Sequence, residues 1–410
     1  MIPNSKIMQN KTKQENKKNS AMLIIILVVI FGLLSGMAGG LAGRSFFDFY
    51  YLPLFGEINF SDMDYKGSNL IIRDAKKVIV EQDVKIIEAI NSAKSSTVGI
   101  FEKSPPGLSS AKNDNKFNLD DYYQPNQLAG QGLVITSDGW IIASLFEDYK
   151  LPLTEEIKRE IAANYAVIAQ NKDIYEIDDI IFDSLTGFSF IHISSKDLPV
   201  KKFADLSEIK NGQLAATVNW NNQVWTTVIA DKKINAEDVI NFSDSFSDRI
   251  ELAGLPEEKF NGSALFNLAG DIIGLIDNKN EVIPINHFES AINSLLKNKE
   301  IKRASMGVYY IELSDLIKAV PDINNNSDII NQGAIIHKDK NGASIIKNSA
   351  AESAGLKEGD IITMVGNMNI NKDNNLAEAT HRFMAGEKIK LIYFREGERR
   401  EVEIELGELK

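Results

Sequence analysis

Hydrophobic positions follow three different patterns along the 410-residue chain. A continuous apolar run without a charged residue covers 21–43, many short strand-like runs follow between 97 and 285, and a further group of strands and a helix follows residue 302. Short strands at close spacing, separated by turn residues, are typical of β-barrels and sandwiches. The pattern therefore predicts a mainly β protein behind one long apolar segment.

The apolar run is long enough to cross a bilayer as a helix, which takes about 20 residues. Five lysines precede it within 1–20, and Arg44 follows it. Basic residues before a span favour a cytoplasmic N-terminus. We predict a basic cytoplasmic stub over 1–20, a transmembrane helix over 21–43, and a main body outside the cytoplasm. The alternative is a cleaved signal peptide, for which the small residues around Ala42 offer a site.

A spacer is expected over 44–82, and it begins with the aromatic run Phe46 to Phe55. Aromatic side chains are enriched where a chain leaves the membrane, so the run is interpreted as an interfacial anchor. A contact between protomers is the alternative, because aromatic rings are also enriched in buried interfaces.

Two folded regions follow the spacer, at 83–299 and 302–410. The first contains the strand-like runs, a long polar loop from Ser104 to Gln127, and two helical patterns. Thr154 precedes acidic residues and is the expected cap of a helix over Leu153 to Asn164, while a second helix over His287 to Lys299 would close the region. The C-terminal region has its own strands and helix, and its size suits one domain.

Composition excludes several classes of function. The net charge of −12 argues against a nucleic-acid binder, which would present a basic surface to phosphates. The absence of cysteine excludes disulfides, thiolate chemistry and a lipid-modified cysteine. No HExxH, EF-hand or phosphate-loop pattern occurs, so we expect no metal and no cofactor.

Several motifs occur in an order that matches one family. They are GQGLVITSDGWIIAS from Gly130, ALFNLAGDIIGLI from Ala264, VIPINHF from Val282, MGVYYIEL from Met306 and NSAAESAGLKEGDIITMVG from Asn348. Together they resemble the HtrA (Deg) family of trypsin-like serine proteases, over roughly Val84 to Lys410. The resemblance implies a chymotrypsin-like double β-barrel, then an α/β PDZ domain.

The same motifs lack the residues of a catalytic triad, which needs a hydroxyl nucleophile, an imidazole and a carboxylate. Where the family has histidine in DGYILTNNHV, DGWIIASLFE has Phe146. Where it has aspartate in DPxTDLAVLKI, DSLTGFSFIHI has Gly187. Where it has serine in GNSGGPLFN, KFNGSALFN has Asn261. The resemblance therefore implies a protease-like domain with no catalytic residues.

An active enzyme rearranged around Ser263 is the leading alternative. It would need a base beside the serine, yet no histidine occurs between residues 1 and 191. The four histidines are His192, His287, His337 and His381. Lys259 also replaces the glycine whose N–H joins the oxyanion hole in the family.

The PDZ-like region keeps the positions that the resemblance assigns to peptide binding. PDZ domains add a partner's C-terminus to a sheet edge and hold its carboxylate with backbone amides. The carboxylate loop would be Met306, Gly307 and Val308, and the opposite wall a helix over Asn375 to Ala385, which presents Leu376, Ala379, Thr380 and Phe383. Alternatively, Met306 and Val308 are only core residues and the groove is closed or used internally against the barrel.

From the sequence and its resemblance we expect a catalytically inactive, membrane-anchored, HtrA-like protein. It would bind protein C-termini or unfolded peptides, as a scaffold, a sensor or the partner of an active protease in protein quality control. The resemblance also implies a homotrimer, because active members of the family are usually trimeric. A structural envelope protein is the second alternative, after the active endopeptidase.

Overall fold

The computed structural model describes residues 30, 32, 35 and 36, and then 82–103, 119–149, 153–231, 239–317 and 331–409. The chain divides into two compact units, Met1–Val80 and Glu81–Lys410. Apart from the four isolated positions and residue 82, the stub, the span over 21–43 and the spacer lie outside the described residues. Within the described ranges, no helix has the length and apolar content needed to cross a bilayer.

The first part of the second unit begins with a helix, α1 (82–94), and forms a closed six-stranded barrel in the order β1-β2-β3-β6-β5-β4. Its interior holds branched apolar side chains such as Ile100, Ile141 and Ile191, all fully buried. The strands are β1 (Thr97–Glu102), β2 (Leu128–Val134), β3 (Trp140–Ala143), β4 (Tyr165–Ala169), β5 (Ile174–Asp183) and β6 (Phe188–Ile193). Closure by the β1–β4 pair leaves this sheet without an exposed edge.

The helix α2 (Glu155–Asn164) begins after Thr154, whose hydroxyl accepts a hydrogen bond from the Ile157 N–H at 3.3 Å. This contact satisfies one of the free donors of the first turn, and Glu155 and Glu156 there suit the positive end of the helix. The predicted helix and its cap are therefore confirmed.

The second barrel is a six-stranded sheet in the order β10-β8-β7-β11-β12-β13. A bridge between Ile250 and Val282 joins its two ends. Its strands are β7 (Leu214–Val218), β8 (Val224–Asp231), β10 (Glu251–Leu252), β11 (Ala264–Asn267), β12 (Ile272–Ile276) and β13 (Val282–Pro284). The double-barrel fold predicted from the sequence is thus present.

The helix α3 (Asn286–Asn298) closes this region within one residue of its predicted bounds. Its Phe288 ring meets Phe188 of the first barrel edge-on, with centroids 5.1 Å apart. Both rings are fully buried in a core that contains residues of both barrels. The helix therefore contributes to packing the two barrels against each other.

The C-terminal region is built on a seven-stranded sheet with the main order β20-β19-β17-β16-β15-β9. The sheet strands that this region supplies are β15 (Tyr309–Glu312), β16 (Ala334–Ile336), β17 (Ile361–Val365), β18 (Met368–Asn369), which pairs with β17, β19 (Lys388–Arg395) and β20 (Glu398–Glu405). A separate two-stranded sheet consists of β14 (Ala304–Ser305) and β21 (Gly407–Glu408). Its helices are α4 (Ala350–Ser353) and α5 (Leu376–His381). The edge strand β9 (Ile240–Phe242) comes from between β8 and β10 of the second barrel.

The helix α5 is shorter than the predicted helix over Asn375 to Ala385. Asn375 caps it, since its side chain accepts from the Glu378 N–H at 2.7 Å, and the helix ends at His381. Phe383 therefore lies beyond the helix, and its ring packs beside Gly366. Its assignment to the helical wall was wrong in this respect.

Candidate functional site

A cleft of about 320 Å³ opens where the protease active site of this fold would be expected, between elements of the two barrels. Most of its polar lining consists of amide side chains rather than acids or bases. The lining residues are Leu128, Ala129, Gly130, Gln131, Ser144, Leu145, Asn219, Asn221, Glu258, Lys259, Asn261 and Asn278. Amides donate and accept hydrogen bonds but do not exchange protons near neutral pH. The cleft can hold polar groups, but its amides supply no general base.

Asn261, which the motifs align with the nucleophile of the family, follows a single 3₁₀ turn over Glu258–Phe260. The Asn261 N–H donates to the Glu258 carbonyl at 2.9 Å inside that turn. In the protease mechanism this N–H would face the oxyanion that develops during acyl transfer. Here it is already used by the turn, so the backbone offers a weaker oxyanion site.

Gln131 of β2 fixes this turn from the first barrel. Its Nε2 donates to the carbonyls of Lys259 at 3.0 Å and Asn261 at 2.9 Å, and its Oε1 accepts from the Trp220 N–H at 2.7 Å. Gly262 makes the close approach possible, because a Cβ there would lie 2.4 Å from the Gln131 carbonyl oxygen. One buried amide thus holds the altered loop in place.

Phe146, which the motifs align with the catalytic histidine of the family, belongs to the core of the first barrel. Only 8% of it is exposed, and its ring meets Tyr165 and Tyr149 edge-on at 5.1 and 6.0 Å between centroids. Its φ of +72° places it in the left-handed region, which is uncommon for a bulky residue. The ring therefore fills the barrel and is not among the residues that line the cleft.

Gly187, which the motifs align with the catalytic aspartate of the family, lies in the turn between β5 and β6. Its N–H donates to the Asp183 carbonyl at 2.9 Å, and its φ is +76°. A Cβ added there would meet no atom within 4 Å. Space for a side chain exists, but the left-handed backbone favours glycine.

Ser263 is 2% exposed, and its Oγ has no hydrogen-bond partner among the described residues. The histidines are engaged elsewhere. His192 lies 3.4 Å from Asp178, His337 contacts the Lys338 carbonyl, and the other two pack on Phe246. The structure thus places no imidazole against the Ser263 hydroxyl within the part that it describes.

A buried ion pair joins the first barrel to the C-terminal region. The Arg303 guanidinium donates through Nε and Nη2 to both oxygens of Asp183, the first at 3.1 Å, and through Nη1 to the His287 carbonyl at 2.9 Å. Burial alone would raise the pKa of Asp183, but the charge and hydrogen bonds of Arg303 outweigh it and hold this pKa below its ordinary value. The pair is therefore ionised and fully bonded inside the protein.

The carboxylate loop of the PDZ groove is occupied by side chains of the chain itself. Asp244 Oδ1 accepts from the N–H groups of Met306 at 2.8 Å and Gly307 at 3.0 Å. Ser243 Oγ accepts from Gly307 at 3.1 Å and from Val308 at 3.0 Å. Beside them, β9 pairs antiparallel with β15. All three amides predicted to hold a terminal carboxylate thus have acceptors from within the chain.

The chain then turns back along α5. Phe246 stacks face to face on His287, with centroids 3.7 Å apart, and its ring also contacts His381 at 4.7 Å. Asp248 accepts from the Asn375 side chain at 2.5 Å, at the start of α5. The segment therefore fills the space between strand β15 and helix α5.

The structure brings the predicted groove residues together in the PDZ domain. Leu376, Ala379 and Thr380 of α5 are completely buried, as are Met306 and Val308. The groove is not open, however, since the chain's own segment occupies it. This is the internally used groove that the alternative interpretation described. Binding of an external peptide by these residues stays a prediction.

Three further side chains near the groove could in principle share an ion. Asp248, His287 and Glu378 have ligand atoms within 4.8 Å of one another. Asp248 is already bonded to Asn375, and His287 Nε2 lies 3.9 Å from Glu378 Oε1. These contacts within the protein account for the cluster, and we assign no metal to it.

Comparisons with known proteins agree with this architecture. The PDZ domain family matches residues 304–406. The chain is 23% identical over 283 residues to a serine protease Do-like HtrA of Lactococcus lactis, a match covering 60% of this chain and 67% of that protein. It is 22% identical over 302 residues to a probable periplasmic serine endoprotease DegP-like of Hahella chejuensis, covering 70% of this chain but only 58% of that protein.

A solved structure of the HtrA-type protease AlgW with a tripeptide has a similar fold. The TM-score is 0.50 at 14% sequence identity, over 78% of this chain and 96% of that one. Two trypsin-like barrels followed by a PDZ domain define a class of protease-like proteins. Together with the relatives above, they show that this chain is similar to HtrA-type serine proteases and carries a C-terminal PDZ domain, which agrees with the resemblance inferred from the motifs.

Sequence reasoning missed several residues that shape these sites. Gln131 was only part of a strand motif, and nothing marked its contacts with residues some 130 positions away. The groove-filling run INFSDSF from Ile240 was not singled out at all. The available signal was Asp244, which follows the short strand Ile240–Phe242 after one intervening serine.

Proposed function

We propose that this protein is a catalytically inactive HtrA-like protein that recognises protein C-termini or unfolded peptides through its PDZ domain. This proposal rests mainly on position 261, which the resemblance aligns with the nucleophile and where the side chain is the amide of Asn261. The N–H of the same residue is bonded to the Glu258 carbonyl instead of facing the cleft.

The chemistry of acyl transfer supports this proposal. Peptide hydrolysis by this fold requires a base in contact with a hydroxyl nucleophile, and a weak nucleophile without a base stays unreactive. Ser263 is the nearest hydroxyl in sequence to the mapped site, but it is almost completely buried. An endopeptidase built around Ser263 is therefore the weaker candidate.

The PDZ domain supports the peptide-binding part of the proposal. Its three loop amides can hold a carboxylate, because they already hold the carboxylate of Asp244 and the hydroxyl of Ser243. Membrane attachment through 21–43, an extracytoplasmic main body and a homotrimer are further parts of the proposal that stand on the sequence and its resemblance alone. The cellular role would be that of a scaffold, a sensor or a partner of an active protease.

The test is activity of the purified full chain in detergent. We expect no covalent labelling by a fluorophosphonate probe and no cleavage of unfolded casein, with Ser263→Ala indistinguishable from the unchanged protein. An active HtrA-type protease serves as the positive control. Labelling that disappears in Ser263→Ala would contradict the proposal of a catalytically inactive protein and support an endopeptidase with Ser263 as its nucleophile.

A further inference from the structure

Residues 239–249, here named the inner segment, occupy the PDZ groove in the geometry of a ligand. Its strand β9 pairs antiparallel with β15, with Phe242 opposite Tyr309 and Ile240 opposite Ile311. The Ser243 N–H then donates to the Val308 carbonyl at 2.9 Å, as the last bond of this ladder. A PDZ ligand adds its strand to the sheet edge in the same manner.

Position 243 is where an external ligand would end. A chain that stopped at Ser243 would bring its terminal carboxylate to the amides of Met306, Gly307 and Val308. In the intact protein the Asp244 carboxylate and the Ser243 hydroxyl accept from these amides, with four distances between 2.8 and 3.1 Å. Buried backbone donors are costly to leave without acceptors, so these contacts stabilise the occupied state.

The inner segment is held by more than the loop. Ser243 is completely buried, Asp244 is 6% exposed, and Phe246 stacks on His287 of the second barrel's closing helix. Asp248 is bonded to Asn375 at the cap of α5. The segment therefore has anchors on both walls of the groove and on the neighbouring domain.

We propose that the inner segment is an internal ligand that keeps the PDZ groove closed, and that a partner's C-terminus binds only by displacing it. The segment also indicates the chemistry of that partner. It is an extended chain end with an aromatic residue opposite Tyr309 and a small last residue, as in Phe242 and Ser243. This inference rests on the proposed function, because it gives the regulation and ligand class of the same groove.

The expected effect on affinity is large. A tethered ligand acts at an effective concentration of order millimolar, and an external ligand's apparent affinity falls by the fraction of molecules with an open groove. We therefore expect a peptide to bind the unchanged protein at least about tenfold more weakly than a protein whose inner segment has been released.

The first experiment uses the full chain and a fluorescent pentapeptide of sequence Val-Ile-Asn-Phe-Ser with a free carboxylate. Asp244→Ala removes the acceptor at the loop, and Asn241→Pro disrupts the middle of β9 while leaving Asp244 in place. Glu251→Ala removes an exposed acidic side chain just after the segment and is the matched control. Both opening variants should bind the peptide at least about tenfold more tightly than the unchanged protein and the control. The amidated pentapeptide, and one with alanine for phenylalanine, should bind more weakly.

The second experiment locks the segment in place. The chain has no cysteine, so a Phe242→Cys and Tyr309→Cys pair gives a single possible disulfide. Residues directly opposite in antiparallel strands have Cα atoms about 4.5–5.5 Å apart, which suits a disulfide. The oxidised protein should lose peptide binding, and reduction should restore it.

Hydrogen exchange of the backbone amides at residues 306–308 separates two hypotheses, the closed groove and the peptide-binding function. Faster exchange in Asp244→Ala than in the unchanged protein supports occupation of the groove. If the opened variants then bind neither the pentapeptide nor a library of C-terminal peptides, the peptide-binding function is wrong while the closed groove stands. Equal exchange, or equal peptide affinity in the unchanged, opened and locked proteins, would overturn the internal ligand and leave peptide recognition intact.

Discussion

At the scale of single residues, a charged pair is buried where the C-terminal region meets the first barrel. Arg303 and Asp183 are only 4% and 1% exposed at their side chains. Burying the two charges costs desolvation free energy. Their mutual contact offsets this cost, together with the hydrogen bonds from Arg303 to the His287 carbonyl and from Thr186 to Asp183. Each partner is therefore tolerated only because the other is present.

Removing one partner of this pair should be strongly destabilising. Asp183→Asn leaves the Arg303 charge buried without a counter-charge, and we expect the free energy of unfolding to fall by about 3–5 kcal/mol. Glu358→Gln, which breaks the exposed pair with Lys338, is the control and should cost less than about 1 kcal/mol. Urea unfolding of both variants measures the difference, and equal losses would contradict the structural importance of the buried pair.

At the scale of elements, the loop that contains Asn261 is held as a hydrogen-bonded turn. The 3₁₀ turn over Glu258–Phe260 and the following Gly262 are fixed against β2 by Gln131. Gly262 has a φ of +79°, so it combines a left-handed backbone with a close contact. The turn thus depends on having no side chain at this position.

We expect Gly262→Ala to lower the free energy of unfolding by about 1–3 kcal/mol, since it adds backbone strain and forces the Gln131 carbonyl to move. Gly254→Ala is the matched control, because a Cβ there meets nothing within 4 Å and the residue has no positive φ. Thermal unfolding of the two variants should show a lower midpoint for Gly262→Ala alone. An unchanged unfolding midpoint in Gly262→Ala would mean that the loop can rearrange to accept the added Cβ.

At the scale of the whole second unit, the PDZ domain is attached to the barrels through a buried region around Phe246 and His381. Burial, then the charge of Arg303, lowers the pKa of His381 from 6.5 to about 3, with Asp244 and Asp183 acting in the opposite sense and His287 in the same sense. The imidazole is therefore neutral in the folded protein throughout the physiological pH range.

This shift makes stability depend on pH. Between about 6.5 and 3 the unfolded chain binds a proton at His381 that the folded chain does not bind, so stability falls as pH decreases through this range. From pH 6.5 to pH 5 the expected loss is about 2 kcal/mol. Urea unfolding at pH 7.5 and 5.0 should show a smaller loss in His381→Gln than in the unchanged protein. The exposed His337→Gln should keep the full loss, and a His381→Gln variant that also keeps it would contradict this assignment.

Much of the fold was predictable from local signals, whereas the occupied groove was not. Thr154 before acidic residues located α2, and short apolar runs located the strands of both barrels. Gly307 marked the carboxylate loop, but its contact with Asp244 joins residues 63 positions apart. A three-residue strand has too few positions for a periodic pattern, so only the folded arrangement reveals what β9 does.

The origin of β9 in the second barrel has a practical consequence for work on fragments. A recombinant piece covering 302–410 would carry a PDZ sheet that lacks its outermost strand, leaving β15 as an unprotected edge. An exposed sheet edge can pair with another chain. This fragment should therefore self-associate, or bind peptides that the intact protein does not bind. Affinities measured on the excised domain would then describe an open groove, which the complete molecule presents only after β9 has dissociated from β15.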